Sequence, residues 1–438
     1  MNMKKLKISL ITALLGITSY GQTFIPDDNF EQALIDLGVD DILDDYVLTE
    51  SIDTIVELDL TYLGISDATG IEDFTALKYF GCSDNNLTEL DCSGNPALLY
   101  LICDGNDLSN LNLTENFVLQ KLWASNNELD ELNLSNCLNL EVLDLRANNF
   151  STLDLGINEA LTWVNASENE LVSINCSGLS NLHNLSCYTN NLTEIDLEGL
   201  SELSSLNVGN NGITALELSH CPNLEILQCY ANLLESIDVS ENLLLNLLVC
   251  HNNMLDSLEL SNNPILGLLD CKNNRITRLD LTNNANISVL FCNDNELTYL
   301  NVKNGNNTLI NGLDFRTYNN PDLYCIEVDD PVFSDTYWNL YIDETHTFSA
   351  DCDYAGVMSE KSIELSIYPQ PASEYVMVEV GEAINYQIVD LSGKLIFENR
   401  LSRGKHTIST HLLESGIYVF RWQSENKNGA RRLHFQFY

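Results

Sequence analysis

The chain has 438 residues and a formal charge of −44, from 64 acidic and 20 basic side chains. That surplus argues against nucleic acid and anionic membrane surfaces as partners, because each phosphate contact needs a cation. It leaves basic or divalent-cation-linked partners open. The charge is also uneven: residues 22–360 hold 56 acidic and 8 basic residues, whereas residues 361–438 are close to neutral. Such a break predicts two modules with different roles.

Residues 1–21 read as a secretory signal peptide. Lys4, Lys5 and Lys7 precede an apolar stretch over 8–17, and small residues lead to Gly21. The stretch is too short for a permanent anchor; cleavage is expected before Gln22, and no cysteine stands at the junction. No other segment is apolar and long enough to be a transmembrane segment. Residues 22–54 are expected to form an N-terminal helical cap. Within 26–38, Phe30, Ala33, Leu34 and Leu37 fall on one helical face, Asp27 or Asp28 can cap the start, and Gly38 the end.

Residues 55–307 form the repeat region. After a degenerate 22-residue coil over 55–76, eleven copies of 21 residues follow from Leu77 to Asn307 without a single insertion. A strict period of this length is the mark of a solenoid, in which each copy makes one coil. Numbering each copy from Leu77 and its equivalents, positions 1, 4, 6, 11, 14 and 16 are apolar. Position 9 is Asn in all eleven copies, from Asn85 to Asn295, and Asp never replaces it. A carboxylate only accepts hydrogen bonds, whereas an amide donates and accepts. Position 9 is therefore expected to be a buried ladder that bridges backbone groups water cannot reach.

The pattern L-x-x-L-x-L-x-x-N-x-L resembles the leucine-rich repeat. Positions 11–19 echo positions 1–9, as in Leu129, Leu132 and Leu134, which resembles the nested bacterial IRREKO class. GIEDFTAL, at 70–77, is similar to the internalin version. The resemblance implies a mainly β fold, a leucine-rich-repeat solenoid with two short strands per 21-residue coil. At about 4.8 Å per coil, eleven coils span roughly 50–55 Å. Position 19 is less regular: Asn95, Asn116 and Asn158 fit the family, while Cys137, Leu179, Leu200 and Cys221 do not.

After Asn307 the repeat decays. Residues 308–352, with Cys325, Trp338 and Cys352, are expected to be a C-terminal cap, and 353–362 a linker. Residues 363–438 alternate in polarity over 375–380, 386–389 and 417–422, with a hairpin turn at Leu391-Ser392-Gly393-Lys394, and predict an antiparallel β-sandwich. Three boxes stand here: YPQPAS at 368–373, VDLSGK at 389–394 and SGIYV at 415–419. Their order and spacing resemble the type A sorting domain of the type IX secretion system of Bacteroidetes. Gln370 replaces the family's usual Asn, and the tail RRLHFQFY replaces a lysine-rich strand. The resemblance implies Sec export, then passage through the type IX machinery, removal of the domain by a sortase-like peptidase, and a secreted or cell-surface location associated with the outer membrane.

Thirteen cysteines in a secreted chain raise the question of disulfides. Cys82, Cys103, Cys187, Cys229, Cys250, Cys271 and Cys292 share inward position 6, and parallel side chains in line are poorly disposed to bond. They read as buried thiols acting as small hydrophobes, as do Cys92 and Cys176 at inward position 16. Cys325 and Cys352 lie outside the repeat and are expected to form a disulfide. Position 15 is always Asp, Glu or Asn and reads as a solvated face; so does the cluster Asp40, Asp41, Asp44 and Asp45. Calcium bridging on these acidic faces stays open. No metal motif, cofactor fingerprint or catalytic constellation emerges.

The remaining signal is a face of outward positions 3, 5 and 7. It carries Tyr100, Trp123, Arg146, Trp163, Tyr188 and Tyr230, with Tyr79, His251 and Phe291. Exposed aromatics on adjacent coils, with Arg, have the composition of binding hot spots. Trp123 and Trp163 are expected about 10 Å apart at strand spacing, flanking Arg146. The expected function is a non-enzymatic, secreted or cell-surface leucine-rich-repeat protein that binds an extracellular protein or glycan. The alternatives are a structural surface component that self-assembles and a glycan-degrading solenoid enzyme; invariant coil length leaves no inserted loop on which to build a catalytic groove.

Overall fold

The computed structural model describes residues 21–352, 365–368, 375–381, 383–390, 393–409, 413, 415–424 and 428–435. The expected signal peptide up to residue 20, the expected linker over 353–362, and residues 369–373 and 391–392 of the sorting boxes lie outside the described residues. The chain divides into two compact units, residues 1–137 and 138–438.

The first unit begins with a helix, Asp28–Asp36. Asp27 is its cap: Oδ1 accepts the N–H groups of Asn29 at 3.0 Å and Phe30 at 3.1 Å, while Oδ2 accepts from Ser66 N at 2.8 Å and pins the cap to the first coil. Phe30 and Leu34 are wholly buried, and Phe30 stacks on Phe74. Leu37 departs from the expected apolar face. The helix ends at Asp36, the chain turns through Gly38 at φ 75°, and Leu37 stands 58% exposed. Strands Glu57–Asp59, Tyr79–Gly81, Tyr100–Ile102 and Lys121–Trp123 then pair in parallel at positions 3–5 of successive coils.

In the second unit the same front pairing runs from Val142–Asp144 through Trp163–Asn165, Asn184–Ser186, Ser205–Asn207, Ile226–Gln228, Leu247–Val249, Leu268–Asp270 and Val289–Phe291. Coiling continues past Asn307, where the sequence period stops. Phe315–Arg316 adds a front strand, and Cys325–Glu327 and Thr347–Ser349 add back strands. Asn320 becomes one further rung of the ladder, accepting from Leu297 N and donating to Cys292 O, both at 3.0 Å. Cys325 and Cys352 are joined by a disulfide, and the eleven cysteines of the repeats are buried thiols outside any disulfide.

Each ladder asparagine bridges two coils. Asn232 Nδ2 donates to Val208 O of the preceding coil at 2.9 Å and to Cys229 O of its own at 3.1 Å, while Oδ1 accepts Ile213 N–H at 2.9 Å. The same three bonds recur at Asn106, Asn127 and Asn274. Burial varies: Asn232 is 6% exposed, whereas Asn169, Asn190 and Asn211 are only half-buried.

Position 19 is a second ladder with a simpler demand. Asn263 donates to Val239 O at 3.0 Å and Asn242 O at 2.9 Å, and Asn284 repeats this one coil on. The Oδ1 atoms of Asn95, Asn116, Asn242, Asn263 and Asn284 meet no donor among the described residues. Only the donor is used here, so a thiol can stand in: Cys137 Sγ reaches Leu113 O at 3.9 Å. A site that uses one donor is easier to replace than one that uses a donor and an acceptor, and position 19 varies over Asn, Cys and Leu while position 9 stays Asn.

Position 8, just before the ladder, is left-handed in all eleven copies, with φ between 51° and 66°. Asn, Asp and Gly suit this region; Ala147, Glu168, Thr189 and Ala231 do not. The strain is retained because the amide at position 9 must turn inward.

The second strand forms in six of the eleven copies: Glu89–Asp91, Asn110–Asn112, Thr152–Asp154, Ser173–Asn175, Arg278–Asp280 and Tyr299–Asn301. Position 15 tracks the choice except at Asn133, which forms no strand although its neighbour is Asn112. In each pair an Asp meets an Asn, and Asn112 and Asn175 donate to Asp91 and Asp154 at 3.0 and 2.8 Å. Where Asp196, Glu217, Asp238 and Glu259 follow one another, no strand is formed and neighbouring links stretch, Asp256 N to Glu235 O reaching 3.4 Å. Like charges directly opposite destabilise pairing. Position 15 also shapes its own turn. In all eleven copies its side-chain oxygen accepts the N–H two residues on, at 2.8–3.2 Å. An Asx-type turn needs that acceptor, which accounts for Asp, Glu or Asn and nothing else.

The C-terminal module is two antiparallel sheets. One holds Leu365–Tyr368, Tyr375–Val380 and Gly404–Ser409; the other holds Leu395–Leu401, Ile384–Asp390, Gly416–Gln423 and Asn428–Phe435. Val376, Val378, Tyr386, Ile388, Phe420 and Leu433 form the core between them.

Two stability tests follow from the coil. Asn232→Asp removes a donor and buries a carboxylate, and should lower stability by about 1–3 kcal/mol, read as the urea midpoint; an unchanged midpoint would mean that the rung is solvated. Ala231→Asn places a residue at ease in the left-handed region and should raise stability by about 0.5–1 kcal/mol.

Candidate functional site

Positions 3, 5 and 7 project from the front strands. In the first unit Lys121 sits between two expected site residues, its Nζ 5.5 Å from the ring centre of Tyr100 and 5.9 Å from that of Trp123. Both rings are half-buried. Lys121 is not among the expected site residues, although it shares the strand Lys121–Trp123 with the tryptophan.

In the second unit Arg146 is paired with Glu168. Its Nε and Nη2 reach Glu168 Oε1 at 2.9 and 2.8 Å, and Tyr188 donates its hydroxyl to the same oxygen at 2.7 Å. Bonds from Tyr188 and Arg146 hold the Glu168 carboxyl below its ordinary range, and burial with the Glu168 contact pushes the Tyr188 phenol up. Glu168 escapes the sequence reading. Its one signal is a bulky acid at the left-handed position 8, where φ is 55°. Trp163 is half-buried on the strand Trp163–Asn165.

Tyr230 lies over Gly209. A Cβ on that glycine would come within 2.3 Å of the ring, so the missing side chain at position 7 is what lets the ring lie down. His251 stacks on Tyr230 with centres 5.1 Å apart and planes 25° apart. Burial lowers the His251 pKa, leaving the imidazole neutral at pH 7. Further along, Arg316 lies 4.5 Å from the ring centre of Phe291.

The charge pattern of this face is as informative as its rings. From Asn184 to Asn252, positions 3, 5, 7 and 8 of four successive coils hold no charged side chain. On the second side of those coils position 15 is Asp196, Glu217, Asp238 and Glu259. A separate, acidic groove of about 780 Å³ lies in the first unit, lined by Glu72, Glu89, Asp91, Asn112 and Glu131 among others.

A family model described as the secretion system C-terminal sorting domain matches residues 366–436. The chain carries that sorting domain behind a solenoid of the leucine-rich-repeat fold. Among solved structures it is similar to an internalin, InlF of Listeria monocytogenes, at 21% identity and a TM-score of 0.52, covering 63% of this chain and 91% of that one. A leucine-rich-repeat protein of Leptospira interrogans matches at 19% identity and 0.51, covering 69% and 85%. These two likenesses show the fold. The functional domain of InlJ from Listeria monocytogenes, a structure described as including a cysteine ladder, matches at 23% identity and 0.48, covering 95% and 99%. No curated protein sequence matches the chain. The sorting domain marks the leucine-rich-repeat protein for type IX secretion and the cell surface. No helix among the described residues is long and apolar enough to cross a membrane.

The Arg146–Glu168–Tyr188 constellation can be tested by titration. Glu168→Gln removes a negative charge from beside the Tyr188 phenol, so that phenol should ionise at lower pH than in the wild type. Alkaline absorbance titration reads the change; an unshifted curve would mean that the contact is not made in solution.

Proposed function

We propose that this protein is a non-enzymatic recognition module, displayed on or released from the cell surface, whose front face binds an extracellular protein or glycan. The absence of charge at positions 3, 5, 7 and 8 of the four coils from Asn184 to Asn252 carries the reading. In a chain of charge −44 random outward positions would include acids, yet these positions present Tyr188, Tyr230 and neutral hydrogen-bonding side chains. Depletion of charge around aromatic anchors is the composition of an interface core. Tyr100 and Trp123 in the first unit, and Arg146 and Trp163 in the second, occupy positions 3, 5 and 7 of their own coils.

Strict coil length supports binding over catalysis, because no loop departs from the coil to carry an acid–base pair. Export brings this face outside the cell. Residues 1–21 direct Sec export, 22–54 and 308–352 close the two ends of the repeats over 55–307, and 363–438 are removed by a sortase-like peptidase after passage through the type IX machinery.

The test uses the full chain on a glycan array and against surface-exposed proteins. Any ligand found should lose at least about tenfold in affinity with Tyr188→Ala/Tyr230→Ala, since truncating anchors of this kind costs about 1–2 kcal/mol or more. Melting midpoints should stay close to wild type, because neither side chain enters the core. A double variant that binds its ligand as tightly as wild type would refute the front-face assignment.

A further inference from the structure

Outward positions change character at coils eight to ten. Each coil ends in a turn with positions 20 and 21 at its tip. Leu245 N–H bonds Asn242 O at 3.0 Å around Leu243 and Leu244, and Leu266 N–H bonds Asn263 O at 3.1 Å around Pro264 and Ile265. The equivalent tips at 180–181, 201–202 and 222–223 are Ser-Asn, Ser-Glu and Pro-Asn. Here Leu243 is 57%, Leu244 44% and Ile265 40% exposed. Position 3 changes in the same place. Asn184 and Ser205 give way to Ile226, Leu247, Leu268 and Val289, which pair in register along four front strands, Ile226 being 37% exposed. Gly267, at position 2, puts no side chain between the tip at Ile265 and the row at Leu268.

Single exposed apolar side chains are ordinary, but an adjoining set on neighbouring coils marks a surface that is covered in use. Its surroundings choose the cover. Between Arg146 and Lys272 the chain holds sixteen acids and no Lys or Arg. Glu225 stands beside Ile226, and Glu241 two residues before Leu243. Both are exposed, and neither pairs with a cation among the described residues. We propose that this patch is the docking site of a basic amphipathic helix from a protein partner. Lys and Arg at the helix margins meet uncompensated acids, while its apolar stripe covers the leucines. The spacing agrees. Helical turns advance about 5.4 Å and neighbouring strands about 4.8 Å, so a helix laid along the stack offers roughly one apolar contact per coil. Other covers fit less well. A second copy related by a two-fold axis would bring the same acids together, and an anionic lipid surface would meet them too. Aliphatic side chains offer a sugar no ring on which to stack. Tyr188 and Tyr230 stand at position 7, outside the patch, so the proposal is independent of the ring face.

Fluorescence anisotropy of the full chain with labelled peptides of about 18 residues, roughly five helical turns, tests it. One peptide places Leu at i, i+3, i+4 and i+7 with Lys elsewhere. A second replaces its Leu by Ser, and a third replaces its Lys by Glu. The Leu/Lys peptide should bind at about 0.15 M salt and gain helix by circular dichroism. The Ser/Lys peptide should bind at least about tenfold more weakly, and the Leu/Glu peptide should not bind. Leu244→Ser/Ile265→Ser, at exposed tips, should keep the wild-type urea midpoint and lose at least about tenfold in affinity for the Leu/Lys peptide. Should that variant unfold, Ile226→Thr in the position-3 row gives the same reading. Glu225→Gln/Glu241→Gln should lose affinity and flatten its dependence on salt. Tyr188→Ala/Tyr230→Ala should bind the peptide as wild type does; a loss there would move the peptide to the ring face and overturn the assignment. Four further results would overturn it: no binding of the Leu/Lys peptide, equal affinity for it and either control, binding unaltered in the tip or glutamate variants, or a wild-type dimer in sedimentation that the tip variant turns to monomer, which would make a second copy the cover.

Discussion

The amide at position 9 is the constraint on which the molecule depends. It spans two coils, giving hydrogens to two position-6 carbonyls and taking one from the position-11 N–H of the coil before. All three bonds hold only if successive coils keep register at positions 6, 9 and 11, and the longer coil before Asn320 keeps it too. The strained backbone at position 8, tolerated even at Thr189 and Ala231, follows from this. Eleven coils without an inserted loop present their outward chemistry on side chains that leave the strand. The front face is therefore a grid, with a few outward positions per coil and fixed spacing between them.

The two ladders show how a single atom sets tolerance to change. Position 9 uses donor and acceptor, and only Asn supplies both at that reach. Position 19 uses the donor alone, so Cys137 and Cys221 can replace the amide. The inward position 6 asks for volume without polarity, and free thiols meet that need. Burial pushes Cys229 up to about 12 and Cys221 up to about 11, so these groups stay protonated and inert at neutral pH.

Charge is sorted by the same grid. On the second side, acids serve as turn acceptors at position 15, and each strand pair that forms within the eleven copies joins an Asp to an Asn there. On the front of coils six to nine, charge is absent. The two sides of these coils therefore differ in charge, acidic at position 15 and neutral at positions 3, 5, 7 and 8. The sorting sandwich, close to neutral and built on its own apolar core, carries the address and takes no part in this pattern.

The sequence by itself determined the period, the coil, the inward thiols, the invariant amide and the sorting boxes. Each of these is a local or strictly repeated demand, and repetition makes a local demand readable. It also placed the front-face aromatics, since alternation along a strand fixes which side chains leave it. Tertiary structure alone decided the rest. Arg146 pairs with Glu168 because a coil stacks them, and residues 22 apart have no visible relation in the chain. Coiling continues beyond Asn307 because Asn320 reaches the ladder after an irregular turn that breaks the period. Second strands depend on which acid lies above which, and Glu31 is buried only because a loop of acids folds over it. These features arise from neighbours brought together by stacking, where desolvation and charge act between coils and no single repeat records them.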